Sequence, residues 1–400
     1  MSANTSEITV HPVARRTPAF VLAVVVALAA FAILLKVFWI GFLGSDDSVY
    51  WGGAGGWMTH FPFVGATHHT LRHTIVLPLA VLRSLLGDKL YVLFLPSLAY
   101  SAGIVVLLAI WMRRTVGVFC AAAALVLVVT NAVFLLTSAT ASIDVAEAFF
   151  VLLAFVLLDA AMAREAVGTR SPIPLLVMSG VAAGFGMLSR ETAIFGVLAI
   201  GLLFLRGYGL PRLRYVAFGM GFAPVVLLEF AYLYAMTGKI FYRLQISAHH
   251  DGSVSRYLDQ GASVPIIHPA IDPITMLLLN HNFGVLGWVV VPLVVWLFRQ
   301  GVNTPALRRF AVLATVLSVT WAVAAAGFSI LPLLPRYFML PSLLISAVCG
   351  VSLARMWQRG GRRVPLLVGC AIVAANLLGV AGDNRNFMFG EHVLVDVAAH

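Results

Sequence analysis

The sequence predicts an all-α integral membrane protein, built as a polytopic bundle of about eleven transmembrane helices. Hydrophobic residues make up 61% of the 400 residues and charged residues only 10%, whereas soluble domains average about 25% charged residues. The mean hydropathy is +0.98, and a series of apolar runs approaches the ~20 residues that a bilayer-crossing helix needs. This composition excludes a soluble globular enzyme, a disordered chain and a coiled coil.

The apolar runs follow one another along the whole chain, separated by polar breaks. They are Thr17–Leu43, Leu90–Met112, Val116–Leu136, Val145–Ala163, Ile173–Leu188, Thr192–Leu205, Tyr215–Ala235, Phe283–Phe298, Phe310–Phe328, Tyr337–Ala354 and Val364–Val380. The two runs that flank Ser189–Glu191 are short. Thr74–Leu86 is too short to cross a bilayer, so we expect an interfacial or re-entrant helix there.

Basic residues give the expected orientation, because cytoplasmic loops carry an excess of Lys and Arg. Most basic residues fall in alternate loops, namely Arg15/Arg16, Arg113/Arg114, Arg164/Arg170, Arg206/Arg212/Arg214, Arg299/Arg308/Arg309 and Arg355/Arg359/Arg362/Arg363. We therefore expect the N-terminus inside and the C-terminus outside. The net charge of +10 follows from these loops, so no nucleic-acid partner is expected.

The expected organisation is one transmembrane unit over residues 1–381 and a short outer tail at 382–400. Two outer loops are long, 44–89 and 236–282, and ten of the eleven His residues fall on the outer side. Any chemistry is therefore expected to face outward. No span carries a charge at its centre, which argues against a central ion or substrate pathway.

Carboxylates mark two of the outer segments. Asp46 and Asp47 emerge directly from the first span. So close a pair raises the pKa of one member and suits a general base or a cation site, although a solvated helix cap is the alternative. Asp144 would share a helix face with Glu147 at the second outer turn. A carboxylate near lipid normally has a role or a partner.

Histidine and arginine gather in the first outer loop, at His68, His69, Arg72 and His73. On a helix His69 and His73 would share a face, which allows zinc if a third ligand exists. A surface that grips phosphate and sugar hydroxyls, or a merely polar interfacial face, fits as well. The three Cys residues lie inside apolar runs, so they do not form a metal site. No metal ligands are assigned, and whether the protein needs a divalent metal stays an open question. Walker, haem and flavin motifs are absent from the sequence.

Two arginines depart from the cytoplasmic pattern. Arg190 precedes Glu191 between the two short spans, and Arg336 precedes Tyr337 before a late span. An outer arginine can bind an anionic headgroup through its planar fork. The alternatives are a local Arg190–Glu191 pair and interfacial anchoring by Arg336 and Tyr337.

Taken in order, these motifs resemble the GT-C superfamily of polytopic membrane glycosyltransferases. The resemblance is carried by Asp46, Asp47 and Tyr50 after the first span, His69-x-x-Arg72, Asp144, Gly-x-Gly-x-Leu-Ser-Arg190-Glu-Thr and Pro-Arg336-Tyr337. It is strongest with the protein mannosyltransferases of glycosyltransferase family 39 and the bacterial relatives that glycosylate lipid A. It covers roughly residues 15–240 and the Pro-Arg-Tyr turn.

The resemblance implies an inverting hexosyl or pentosyl transfer on the outer, periplasmic face of a bacterial inner membrane. The donor would be a polyprenyl-phosphate sugar and the acceptor a lipid, a glycan or a protein. Asp46, Asp47 and Asp144 would be catalytic, with Asp46 as the base. Substrate would be bound by Tyr50, His69, Arg72, Arg190, Glu191, Arg336 and Tyr337. Relatives commonly carry Lys in place of Arg190 and Glu in place of Asp47. A transporter or flippase of a lipid-linked sugar is the alternative function.

Overall fold

The computed structural model describes residues 17–168, 170–250, 271–302, 304–327 and 334–398, and these residues form helices without any strand. The helices are α1 (Thr17–Val37), α2 (Asp46–Thr59), α3 (His73–Leu86), α4 (Leu95–Val116), α5 (Val118–Val129), α6 (Ala132–Ser138), α7 (Ile143–Val167), α8 (Ile173–Ser189), α9 (Ile194–Arg206), α10 (Arg212–Thr237), α11 (Tyr242–His250), α12 (Asp272–Leu279), α13 (Leu286–Trp296), α14 (Pro305–Gly327), α15 (Met339–Gln358) and α16 (Arg363–Ala398). The predicted all-α class is confirmed, and residues 251–270 of the second long outer loop lie outside the described ranges.

Every apolar run of the sequence contains at least one helix. Within the described residues, seven helices are long and apolar enough to cross a membrane, or eight when α5 and α6, bent by 62° at their junction, count as one span. The remaining runs form α8, α9 and α13, which have 17, 13 and 11 residues. The chain is therefore a multi-pass integral membrane protein, and the exact count of eleven spans stays a prediction.

Helix α8 is packed between α7 and α10, and small residues make the α8–α10 contact close. A Cβ added to Gly180 would lie 2.0 Å from the carbonyl oxygen of Phe218, and one added to Gly221 would lie 2.0 Å from that of Val177. The two backbones thus touch, as at other membrane helix interfaces lined by small residues. This contact fixes the end of α8, where Arg190 follows.

Helices α5 and α15 form the second close contact, where a Cβ on Gly350 would lie 2.4 Å from the Cα of Ala124. Asn131 caps α6 by accepting from the backbone N–H of Phe134, and its amide donates to the hydroxyl of Ser346, 3.1 Å away. These polar contacts within the apolar interior connect the bent α5–α6 unit to α15.

The segment 44–89, which we expect to be the first outer loop, folds into α2, a 3₁₀ turn at His68–Leu71, and α3. Arg83 joins the two helices, because its Nη1 donates to the carbonyl oxygen of Trp51 at 2.6 Å and its guanidinium lies 3.8 Å over the Trp51 ring. Helix α3 buries Ile75, Val76 and Leu79, and it also contacts α4, α7 and α8. The expected short helix therefore exists, and it packs onto the bundle next to the end of α8.

Candidate active site

A pocket of about 490 Å³ opens where the end of the first span, the α6–α7 turn and the segment before α15 meet. It is lined by Ile40, Leu43, Ser45, Asp46, Asp47, Tyr50, Val133, Leu136, Thr137, Thr140, Ala141, Ser142, Asp144, Asn280, His281, Asn282, Leu334, Pro335, Arg336 and Asp383. Five of the expected site residues therefore line one cavity, although they come from distant parts of the sequence.

The two adjacent aspartates at the start of α2 have different environments. Asp47 is only 3% exposed, and its carboxylate accepts backbone N–H groups of Leu43 at 2.6 Å, Ser45 at 2.7 Å and Ser48 at 2.9 Å. The side chain of Asp46 is 31% exposed and lies 3.6 Å from His69 Nε2 and 3.8 Å from Arg336 Nη1. Asp47 thus closes the turn that starts α2, and Asp46 is the carboxylate that a substrate can reach.

Asp144 joins two arginines. Ser142 caps α7 and donates its hydroxyl to Asp144 Oδ2 at 3.1 Å. Arg190 Nη1 donates to Asp144 Oδ1, and Arg336 Nε lies 3.9 Å from Asp144 Oδ2. The guanidinium carbons of Arg190 and Arg336 lie 3.9 Å and 5.6 Å from the ring centre of Tyr337. We call Asp144, Arg190, Arg336 and Tyr337 the Asp144 cluster.

Arg72 lies close to this cluster but forms no ion pair within the described residues. Its side chain is buried, since the residue is only 6% exposed, and its charge acts on Tyr50, Asp144 and Glu191. Burial raises the pKa of the Tyr50 phenol well above its usual range, so Tyr50 stays protonated. The edge of the Tyr50 ring meets His69, with centroids 6.0 Å apart.

Glu191 belongs to a second group of charges. Its carboxylate accepts from Arg243 Nε at 2.6 Å and from the Ser247 hydroxyl at 3.1 Å. Arg243 Nη1 also donates to Glu229 at 2.7 Å, and Glu229 lies 3.3 Å from His73 Nδ1. We call Glu191, Arg243, Glu229 and His73 the Arg243 network. The local Arg190–Glu191 pair that the sequence left open is not formed, because each residue has a partner elsewhere.

The expected common face of His69 and His73 is not formed either. The 3₁₀ turn ends at Leu71 and Arg72 is non-helical, with φ −84° and ψ 73°. His69 therefore turns towards Asp46 and His73 towards Glu229. Within the described residues no three His, Cys, Asp or Glu side chains gather as a metal site would require.

Sequence reasoning did not assign Arg243, Glu229, His281, Asn282 or Asp383 to the site. Glu229 could have been identified from the sequence, since an ionisable residue within an apolar span normally has a function or a partner. The other four lie on or beyond the second long outer loop, where no spacing distinguishes them from ordinary polar residues.

Two solved membrane-protein structures share this fold. One is the archaeal oligosaccharyltransferase AglB of Archaeoglobus fulgidus, in complex with an inhibitory peptide and a dolichol-phosphate; it is 11% identical, with a TM-score of 0.62 over 92% of this chain and 56% of that chain. The other is ArnT of Cupriavidus metallidurans bound to undecaprenyl phosphate; it is 16% identical, with a TM-score of 0.59 over 94% of this chain and 76% of that chain. No protein-family model and no curated protein sequence matches the chain significantly.

The chain therefore has the fold of the GT-C membrane glycosyltransferases, as the sequence motifs predicted. It spans just over half the length of the archaeal oligosaccharyltransferase and about three quarters of ArnT. At these identities the likeness establishes the fold, and the chemistry has to be argued from the site of this chain.

Proposed function

We propose that the chain is a glycosyltransferase that moves a sugar from a polyprenyl-phosphate donor to an acceptor on the outer face of the membrane. The observation that carries the proposal is the placement of Asp46, a reachable carboxylate in a pocket, 3.8 Å from Arg336, which shares Asp144 with Arg190. Both structural neighbours hold a lipid phosphate. A sugar carried on a lipid phosphate is already activated, which agrees with the absence of a nucleotide motif from the sequence.

Asp46 is the general base in this proposal. The acceptor O–H lies next to its carboxylate and gives up its proton to it as the oxygen bonds to C1 of the donor sugar. The C1–O bond to the phosphate breaks, and its electron pair stays on the phosphate of the released polyprenyl lipid. Attack from the side opposite the phosphate inverts the configuration at C1. His69 and Arg336 orient the Asp46 carboxylate from two sides.

The arginines stabilise the phosphate as charge develops on it. Arg72 is the first candidate, since no carboxylate within the described residues forms an ion pair with it. Arg190 and Arg336 share Asp144, so they can contribute further charge while the cluster stays assembled. Tyr50, protonated throughout, can donate one hydrogen bond to substrate.

The test compares the two aspartates. Asp46→Asn keeps the size of the side chain and removes the base, so turnover should fall about 10²–10⁴-fold with folding unchanged. Asp47→Asn should instead lower thermal stability, since it disturbs backbone bonds worth about 1 kcal/mol each. Transfer is measured with purified protein and a panel of undecaprenyl-phosphate hexoses and pentoses. Mass spectrometry of cell-envelope glycans and lipids, with and without the chain, identifies the natural product.

Two results would contradict the proposal. Near-normal turnover of Asp46→Asn would move the base to Asp47 or Asp144. Movement of labelled lipid-linked sugar across the bilayer, without a new glycosidic bond, would favour the transporter that the sequence left as the alternative. The outer placement is checked separately by a reporter fused to the C-terminus, which should be active only outside the cytoplasm.

A further inference from the structure

One wall of the pocket is formed by residues from the C-terminal part of the chain, and these residues have no role in the proposed mechanism. It consists of Asn280, His281 and Asn282 before α13 and Asp383 on α16. His281 Nε2 lies 2.6 Å from Asp383 Oδ1, so this pair ties the last helix to the segment that enters α13. These residues complete a cavity that begins at Asp46.

The pocket carries more negative than positive charge. Four carboxylates line it, from Asp46, Asp47, Asp144 and Asp383, whereas Arg336 is the sole arginine or lysine among its lining residues. Arg72 and Arg190 are not part of the lining. Because like charges brought together cost several kcal/mol, an anionic headgroup is disfavoured on this side of Asp46.

Asn282 adds an independent sign of a ligand. The residue is 6% exposed and lines the pocket, and its side-chain oxygen is buried without a hydrogen-bond partner among the described residues. Its own backbone N–H donates to Asn280 Oδ1 at 2.9 Å, which holds the segment in place. A buried oxygen without a donor is costly, and a hydroxyl or ammonium group of a ligand would satisfy it.

The opposite wall is apolar. Ile40 and Leu43 follow α1, and Val133 and Leu136 lie on α6. These residues belong to two membrane-spanning units at the ends that carry Asp46 and Asp144. A ligand in this pocket therefore meets acceptor oxygens on one side and hydrocarbon on the other.

We propose that this pocket binds the acceptor, and that the acceptor is a lipid-borne group whose head is neutral or cationic and rich in hydrogen-bond donors. The inference rests on the proposed function, because it assigns Asp46 to the acceptor side. The donor phosphate then belongs to Arg72 and Arg190, which are not part of the lining, and Arg336 lies between the two sites because it lines the pocket and shares Asp144 with Arg190. The acceptor loses one hydroxyl proton to Asp46 and gains the bond to C1, as written above.

Binding of three matched probes to the full chain in nanodiscs tests the inference. The probes are dodecyl glucoside, dodecyl glucosaminide and dodecyl glucose phosphate, which share one alkyl chain and differ in charge. We expect the neutral and cationic probes to bind at least about tenfold more tightly than the anionic one, a difference of ~1.4 kcal/mol. Asn282→Ala should weaken the two preferred probes, and Asp383→Asn should reduce the discrimination against the anionic probe.

Two control variants distinguish the effect of a carboxylate in the pocket from the effect of a carboxylate elsewhere in the protein. Asp383→Glu keeps the carboxylate and should keep the discrimination. Glu165→Gln removes a carboxylate that is not part of the lining and forms only a partly exposed ion pair, so it should not change the binding of any probe. Equal or tighter binding of the anionic probe, or full affinity in folded Asn282→Ala, would overturn the inference. Asp46-dependent transfer to the anionic probe would overturn it while leaving the transferase intact. Charge-selective binding without transfer to any probe from any donor would support the chemistry of the pocket and contradict the proposed function.

Discussion

Two groups of charged side chains lie near the end of α8, and they differ in the ratio of arginines to carboxylates. In the Arg243 network, a single arginine meets two carboxylates, Glu191 and Glu229, and Glu229 also contacts His73. In the Asp144 cluster, two arginines share Asp144, and one of them also approaches Asp46. Arg72, next to that cluster, forms no ion pair within the described residues.

The difference indicates two roles. A buried arginine matched by carboxylates of its own chain holds elements together, here α11 to α10 and to the turn after α8. The two arginines of the Asp144 cluster contact two carboxylates, Asp144 and Asp46. With Arg72 beside them, three guanidinium groups face two carboxylates, and such an excess can receive an anion from outside the chain. The side chain of Arg336 is 44% exposed, so the Asp144 cluster is also open to a ligand.

Arg243→Ala should give the largest loss of stability. It leaves the buried carboxylate of Glu229 and the partly buried one of Glu191 without their cation, and breaking a buried pair such as Arg243–Glu229 costs about 3–5 kcal/mol. The measurement is the melting temperature of the detergent-solubilised protein, with the yield of folded material as a second readout. An unchanged melting temperature would show that the network does not hold the fold.

Arg190→Ala should lose less stability and more turnover, because Arg336 remains near Asp144 after the substitution. We expect the KM for the polyprenyl-phosphate donor to rise about tenfold to a hundredfold, from the loss of a charged hydrogen bond worth about 1.5–3 kcal/mol. Arg190→Lys should retain much of the activity, since it keeps the charge. The contrast fails if Arg190→Ala melts as early as Arg243→Ala and the folded fraction binds donor normally.

Arg72→Gln should leave stability unchanged or raise it slightly, because it strands no ion-pair partner within the described residues. Donor binding should weaken about tenfold, from the loss of a charge-assisted hydrogen bond worth about 1.5 kcal/mol. Donor affinity and melting temperature are measured on the same preparation. A lower melting temperature with unchanged donor affinity would make Arg72 a structural residue.

Acid should weaken the Arg243 network modestly. Burial by itself would raise the pKa of Glu191, but the Arg243 guanidinium outweighs burial and holds that pKa below its usual range. A lowered folded-state pKa stabilises the fold above the unfolded value of about 4.3, and this stabilisation is lost as the pH falls through the folded-state pKa. The melting temperature should therefore decline in acid, and Glu191→Gln should flatten the decline.

The matched control for that profile is Glu165→Gln. Glu165 forms a partly exposed pair with Arg214 at 3.8 Å, and exposed pairs contribute little. The melting temperature of the Glu165→Gln variant should decline with falling pH as that of the unmodified chain does. If that of Glu191→Gln declines in the same way, the Arg243–Glu191 pair does not contribute to acid stability.

Much of the site could be predicted from the sequence because its residues occur as short motifs at the ends of apolar runs. Asp46, Asp144 and Arg336 were expected to be functional, and the structure places them around one pocket. Their roles remain proposals, as does the role of Asp47, whose carboxylate the structure uses to close a turn. An aspartate at the start of a helix can act as a helix cap or as a general base, so the sequence alone does not distinguish these two roles.

The sequence by itself determined the class of protein, since apolar runs of this length can satisfy their backbone in lipid only as helices or closed barrels, and these runs are long enough for helices. Only the tertiary structure determined which charged side chains form ion pairs with each other. Glu191 is adjacent to Arg190 in the chain yet pairs with Arg243, 52 residues away, because the turn after α8 directs the two side chains to different neighbours. It also brought Asn282 and Asp383 to the pocket of Asp46, since helix packing, rather than local spacing, sets distances between segments so far apart in the chain.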